Sequence, residues 1–316
     1  MKHFNKLVLV LSVLFFIACG ENPNDYYEQA LNLFDPMSIE EETLNSHLSP
    51  SAFKQPSEPV GEDVEKAVSL YQKASDLGLA EAQLQLGICY LFGISGEHNL
   101  SKAFELFEKA AAQDCGDAFA MMAQQYGGKR DFDKMFEMAQ KAADLNSALG
   151  YIMMASCYNN GFGCDMSKNK YYYWMEKAGE SGSLGAQWCL ATNYIEEENF
   201  QKVAYWAEKA AEAGLADAQT ILGQMYLYGN HGIKKDEQKG LMWLQMAADQ
   251  NEQNAQVFLG MEYGMDYSRS GDVQKLYDAE KLLKKALENE NPDDEVTKTA
   301  KELLTNLRKI KRLKGL

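Results

Sequence analysis

The chain has 316 residues, enough for one extended repeat array or two compact domains, and 46% of them are apolar, enough to bury a substantial core, so disorder throughout is excluded. Its 31 basic and 46 acidic side chains give a formal charge of −15, which becomes −17 once the two lysines of the leader described below are removed. With no basic stripe to neutralise phosphates and release counterions, the charge balance argues against nucleic acid as a partner.

Residues 1–18 begin with Lys2, His3 and Lys6 and continue as an apolar run from Leu7 to Ala18. That run is too short to span a bilayer comfortably and has the layout of a signal peptide. It closes Phe16-Ile17-Ala18-Cys19. This ending resembles the lipobox of bacterial lipoproteins, where the cysteine is lipidated and becomes the new N-terminus, although Phe16 stands where leucine is usual. The resemblance implies lipidation at Cys19 and a membrane-anchored place in the bacterial envelope. Gly20 lacks the aspartate that marks inner-membrane retention in enterobacterial lipoproteins, which favours the outer membrane. An ordinary secretion signal with an incidental cysteine is the alternative.

Five of the six prolines (Pro23, Pro36, Pro50, Pro56, Pro59) fall between Cys19 and Gly61, and the sixth is Pro292. Residues 19–62 therefore have the character of a Pro-rich tether, and a helical body follows. Inside the tether, Asp25 to Phe34 carries the pattern of one short helix, capped by Asn24 and with Tyr27, Leu31 and Phe34 on one face; it either caps the body or is disordered.

From Asp63 the sequence repeats. An alanine recurs at Ala74, Ala110, Ala142, Ala178, Ala210 and Ala247, with a degenerate seventh at Ala286. Eight residues on stands a small residue (Ala82, Ala118, Gly150, Ala186, Ala218, Ala255), and five further on another (Gly87, Ala123, Ala155, Ala191, Gly223, Gly260). Three beyond that comes a tyrosine each time: Tyr90, Tyr126, Tyr158, Tyr194, Tyr226, Tyr263. A small residue and a tyrosine three apart share one helical face, so two helices can approach at the first while the ring fills the next gap. Four before each reference alanine lies a large apolar side chain (Leu70, Leu106, Met138, Trp174, Trp206, Trp243), and four after it lies Gly78, Asp114, Asn146, Gly182, Gly214 or Asn251. These last types tolerate a left-handed backbone, so the second helix of each pair is predicted to stop there. The intervals between the first six reference alanines are 36, 32, 36, 32 and 37.

This pattern resembles the Sel-one-like repeat, a relative of the tetratricopeptide repeat; Ala218 to Tyr226, Val203 to Ala211 and the loop Gly161-Phe162-Gly163 carry the likeness. The resemblance implies an all-α fold, a right-handed α-solenoid of tandem helix-turn-helix repeats, over residues 63–290. The loops Gly127–Asp133 and Ile195–Gln201 lack the Gly-x-Gly insertion. Residues 291–316, with Leu303, Leu307 and Ile310, are expected to form a terminal capping helix.

Five cysteines remain beyond Cys19: Cys89, Cys115, Cys157, Cys164 and Cys189. An odd number leaves at least one free or paired between chains; Cys157 and Cys164 flank a turn and could bridge, or the cysteines are small buried helix residues, since Cys89 and Cys157 share one register. His3, His47, His98 and His231 are scattered without ligand spacing, and no nucleophile or phosphate-binding motif is present. The sequence therefore assigns no catalytic, metal-ligating or cofactor-binding residue, and predicts a non-enzymatic scaffold.

In tetratricopeptide relatives a groove runs along the first helices. Carried over, it is lined here by Ile152 with Ser156, Trp188 with Thr192, Thr220 with Gln224, and Val257 with Met261, each pair i, i+4 on one face. Uncharged mixed surfaces of this kind suit an extended peptide of a protein partner, with Trp188 as the hot spot, while packing against a neighbouring repeat explains Ile152 and Val257 equally well. A cell-wall-acting enzyme or sugar-binding protein is the alternative, suggested by location alone. Tyr173, Tyr205 and Met242 could form an apolar stripe on the outer helices, and the basic end of the chain (Arg308, Lys309, Lys311, Arg312, Lys314) complements a helix C-terminus or meets anionic lipid.

Overall fold

The computed structural model describes residues 22–33, 62–94, 96, 98–229, 233–288 and 295–316. The leader, Cys19, the Pro-rich stretch 34–61, His47, His231 and Pro292 lie outside them. The described residues form fifteen helices: α1 (Pro23–Leu33), α2 (Glu62–Asp76), α3 (Ala80–Phe92), α4 (Leu100–Ala111), α5 (Gly116–Gly128), α6 (Phe132–Asp144), α7 (Ala148–Asn160), α8 (Lys168–Glu180), α9 (Leu184–Glu196), α10 (Phe200–Glu212), α11 (Ala216–Tyr228), α12 (Glu237–Asp249), α13 (Gln253–Ser270), α14 (Val273–Ala286) and α15 (Glu295–Lys314). They are packed as tandem pairs, an α-solenoid. The chain forms two compact units, Met1–Gly185 and Ala186–Leu316.

The reference alanine owes its recurrence to the turn that follows it. All six predicted stop residues take a positive φ: Gly78, Asp114, Asn146, Gly182, Gly214 and Asn251. The amide five residues after each alanine donates to that alanine's carbonyl, from Leu79 to Ala74 at 3.1 Å through Glu252 to Ala247 at 3.1 Å. Each stop residue's own amide donates to the next carbonyl, as in Gly78 to Ser75 and Asn251 to Ala248. These paired bonds are the Schellman termination, which satisfies the orphan carbonyls of the helix end.

A second repeated device closes the other loop. The carbonyl of the repeat tyrosine accepts from the backbone amide of the next helix's cap residue: Tyr90 from Asn99, Tyr126 from Asp131, Tyr158 from Ser167, Tyr194 from Asn199 and Tyr226 from Asp236. The cap side chain then accepts from the amide three residues on, that of Lys102, Lys134, Lys170, Lys202 or Lys239. The same lysine lays its ammonium 4.6–5.4 Å from the centroid of the tyrosine ring, and Lys275 does so at 4.3 Å over Tyr263. Each such cation–π contact contributes about 0.5–1 kcal/mol at a partly exposed site. The uneven repeat intervals follow directly, because tyrosine and cap are nine residues apart in the longer loops, five in the two short ones and ten in the last, while both ends of the clasp stay the same.

The helix anticipated within 19–62 is α1, and it is docked. Ala30 is fully buried, and Tyr26, Tyr27, Leu31 and Leu33 pack on a core containing Leu70, Tyr71, Leu86 and Cys89. The Tyr27 and Tyr71 rings lie 6.0 Å apart, and Lys73 stands over Tyr26. Cys89 on α3 and Cys157 on α7 are buried, burial pushing both thiols up to about 12, and none of the five described cysteines is bridged.

At the other end, α15 buries Thr297, Ala300, Leu304 and Leu307 against α13 and α14. Lys311 and Lys284 each place Nζ 2.7 Å from a Glu280 oxygen, and these two hydrogen bonds hold the Glu280 carboxyl at about 2. Lys311 also lies 4.0 Å over the Tyr277 ring. A carboxyl whose folded pKa lies below its unfolded one stabilises the fold above roughly pH 4.3 and loses that contribution as pH falls through the folded value. Amide protection factors in α15 should therefore drop as acid is titrated from about pH 4 towards 2, and Glu280→Gln should lower them already at neutral pH. Protection unchanged in both experiments would refute this clasp.

Candidate functional site

The first unit carries a hollow of about 540 Å³. It is bordered by the opening turns of α3, α5 and α7, by the turn at 181–185, and by Tyr27 of α1. Leu84, Leu149 and Ile152 supply apolar wall, Asn146, Ser147, Ser181 and Ser183 polar groups, and Glu81 and Asp117 the charges. Opening turns of helices hold backbone amides without an intrahelical acceptor, which is what the carbonyls of an extended chain need.

The carboxylates stand in one register, immediately before the small residue of the repeat, and each faces the cap of the next first helix. Ser147 caps α7, accepting from the Gly150 amide at 2.9 Å and donating to Asp117 Oδ1 at 2.5 Å. Cys115 occupies the cap position of α5; burial raises its thiol pKa, and the Asp117 and Glu81 charges raise it further. Asp217 repeats the register in the second unit. Burial and the neighbouring Glu252 raise its carboxyl above the usual range.

Of the eight groove residues expected from sequence, Ile152 alone lines this hollow. Ser156, Gln224 and Met261 are half-buried. Thr220 and Val257 are not surface residues, at 4% and 5% exposure. The Thr220 hydroxyl lies 2.9 Å from both the Glu252 carboxylate and the Ala216 carbonyl, so the next repeat's cap covers it. Val257 belongs to the core shared with Leu276, Leu283 and Leu304. Trp188 is half-buried and packs on Ala210, Ala211, Ala218 and Leu222, while the Thr192 hydroxyl reaches the carbonyls of Trp188 and Cys189. Glu81, Asp117 and Leu149 were missed; the signal was the acidic residue preceding the small one at Glu81, Asp117 and Asp217.

Tyr173, Tyr205 and Met242 are exposed at 51%, 45% and 49%. The two tyrosines sit edge-on to Trp174 and Trp206, with Lys177 and Lys209 each 5.2 Å over the tyrosine ring, so each apolar surface carries a charge. Among the described residues no group of three or more His, Cys, Asp or Glu is placed to hold a metal ion, and no helix is long and apolar enough to cross a membrane.

Tandem hairpins closed by these two turns define the class, a tetratricopeptide-like α-solenoid. The family model for the Sel1 repeat matches residues 54–79, 80–115, 118–147, 148–183, 196–215, 216–252 and 253–291, more than half of the chain, and the protein belongs to that family. No curated protein matches the sequence. Among solved structures, a protective antigen of uropathogenic Escherichia coli strains with an SLR fold superposes with a TM-score of 0.54 at 24% identity, over 77% of this chain and 51% of the antigen. This chain thus spans about half of that relative's length. A Sel1 repeat protein from Oxalobacter formigenes superposes with a TM-score of 0.50 at 25% identity, over 76% of this chain and 99% of that one.

Proposed function

We propose that this Sel1-repeat scaffold is non-catalytic, is anchored in the bacterial envelope by lipid on Cys19, and holds an extended segment of a partner protein in the hollow of its first unit. The observation that carries the reading is the hollow itself, where apolar wall, hydroxyl and amide groups and helix-opening amides lie side by side. Side chains of an extended segment need the first, and its backbone needs the others. Among the described residues two carboxylates and no cation line it, so a segment that pairs an aliphatic or aromatic residue with Lys or Arg fits best. The envelope location rests on the sequence from Lys2 to Cys19.

Peptides selected from a random library on the immobilised full chain provide the test, with affinities measured by calorimetry. Ile152→Glu, folded normally by circular dichroism, is expected to weaken such peptides by about tenfold or more. Trp188→Ala is expected to lower stability and leave that affinity unchanged, because the indole packs inside the second unit. Selected peptides that bind Ile152→Glu as tightly as the natural chain would remove the hollow from the reading.

A further inference from the structure

We infer that the α1–α2 end of the protein rests directly against the membrane, instead of standing away from it on a long tether. The inference rests on lipidation of Cys19, and adds to it where the folded body begins. Residues 19–62 have the composition of a tether, yet their helix α1 is part of the solid first unit. Ala30 is fully buried, Tyr27 meets Tyr71 at 6.0 Å, and Leu31 and Leu33 pack on the core of α2 and α3. Helix α1 starts at Pro23, and three residues, Gly20, Glu21 and Asn22, separate it in sequence from the anchored cysteine.

Covalent geometry sets the reach. Four steps at about 3.3–3.6 Å each place Pro23 within about 14 Å of Cys19 even when fully extended. A flexible chain running from Cys19 to Glu62 has a root-mean-square reach of roughly 35 Å, and would leave the body free to tumble well clear of the surface. The neighbouring Glu21, Asp25 and Glu28 are acidic, so close approach is imposed by chain length and not by attraction to anionic lipid.

The test uses the full chain purified from a lipidating host and bound to a supported phosphatidylcholine bilayer, with intact-mass spectrometry for the lipid and neutron reflectometry for the protein layer. Protein density is expected to begin within about 15 Å of the headgroups. Inserting about thirty Gly/Ser residues after the exposed Asn22 should open a solvent gap, roughly doubling the stand-off. Ala30→Arg, which forces a long charged side chain into a fully buried contact of α1, is expected to undock that helix and open one too, with circular dichroism checking that the remaining helices stay folded. A lipidated chain with a gap near 35 Å, or with the same profile as the insertion variant, overturns this inference and leaves the anchor standing. A chain without the lipid's mass overturns the anchor, and this inference with it.

Discussion

Gly223→Trp is expected to destabilise the second unit by about 3 kcal/mol or more. Gly223 on α11 faces Gly240 on α12, and neither position has room for even one carbon. A Cβ at 223 would lie 2.8 Å from Leu244 Cγ and 3.0 Å from the Gly240 carbonyl oxygen. A Cβ at 240 would lie 2.7 Å from Leu227 Cγ and 2.9 Å from the Gly223 carbonyl oxygen. Adding a methylene or two to a packed core costs about 1–3 kcal/mol, and an indole forces the helices apart along several turns. Since a domain is stable by only about 5–15 kcal/mol, a loss of that size is a large share of it. Urea denaturation followed by circular dichroism measures the effect, and a midpoint equal to that of the natural chain would contradict the close crossing of α11 and α12.

That crossing shows where sequence reading succeeds and where it stops. Gly223 was visible because it recurs in register with Gly87 and Gly260, and recurrence exposes whatever every repeat needs. The six Schellman turns were visible for the same reason, since a positive φ restricts residue type locally and does so at one fixed offset. Gly240 was not, because it answers Gly223 in one pair only; four residues before the side chains that face Gly87 and Gly260, Phe107 and Leu283, stand Ala103 and Ala279 instead. The docking of α1 was legible only as one of two alternatives. Its partner α2 follows after a long Pro-rich stretch, and no periodicity crosses that gap.

Two of the eight expected groove positions, Thr220 and Val257, are covered for a related reason. A register in a repeat array names a position on a helix, and the environment there depends on what the next repeat places opposite. Ile152 and Val257 share a register, yet Ile152 opens on the hollow while Val257 is covered by α14 and α15 at the chain's end. Thr220 is covered because the following cap is Glu252, long enough to reach its hydroxyl. The hollow is made of turn and opening-turn residues at the starts of α3, α5, α7 and α9 together with Tyr27 of α1, and no single repeat contains it.

Gly150→Ala makes the same point with the opposite expectation from sequence. The other five repeats place alanine in this register, at Ala82, Ala118, Ala186, Ala218 and Ala255, all buried. Helix propensity also favours alanine, by about 0.5–1 kcal/mol over glycine within a helix. A consensus argument therefore predicts stabilisation. The structure predicts the reverse, because a Cβ at 150 would lie 2.6 Å from both the carbonyl carbon and the Cβ of Ala142 and 2.7 Å from the Ala143 nitrogen. These are mostly backbone atoms at the end of α6, which cannot rotate out of the way as a side-chain tip can. Relief requires α6 and α7 to separate, which shifts Ser147 against Asp117 at the rim of the hollow. Overpacking of about 1–3 kcal/mol outweighs the propensity gain, so the variant should be net destabilised by about 1–2 kcal/mol, and library-selected peptides should bind it more weakly. A chain that gains stability with Gly150→Ala would show that α6 and α7 stand further apart than this, and that the hollow's rim is not held by their contact.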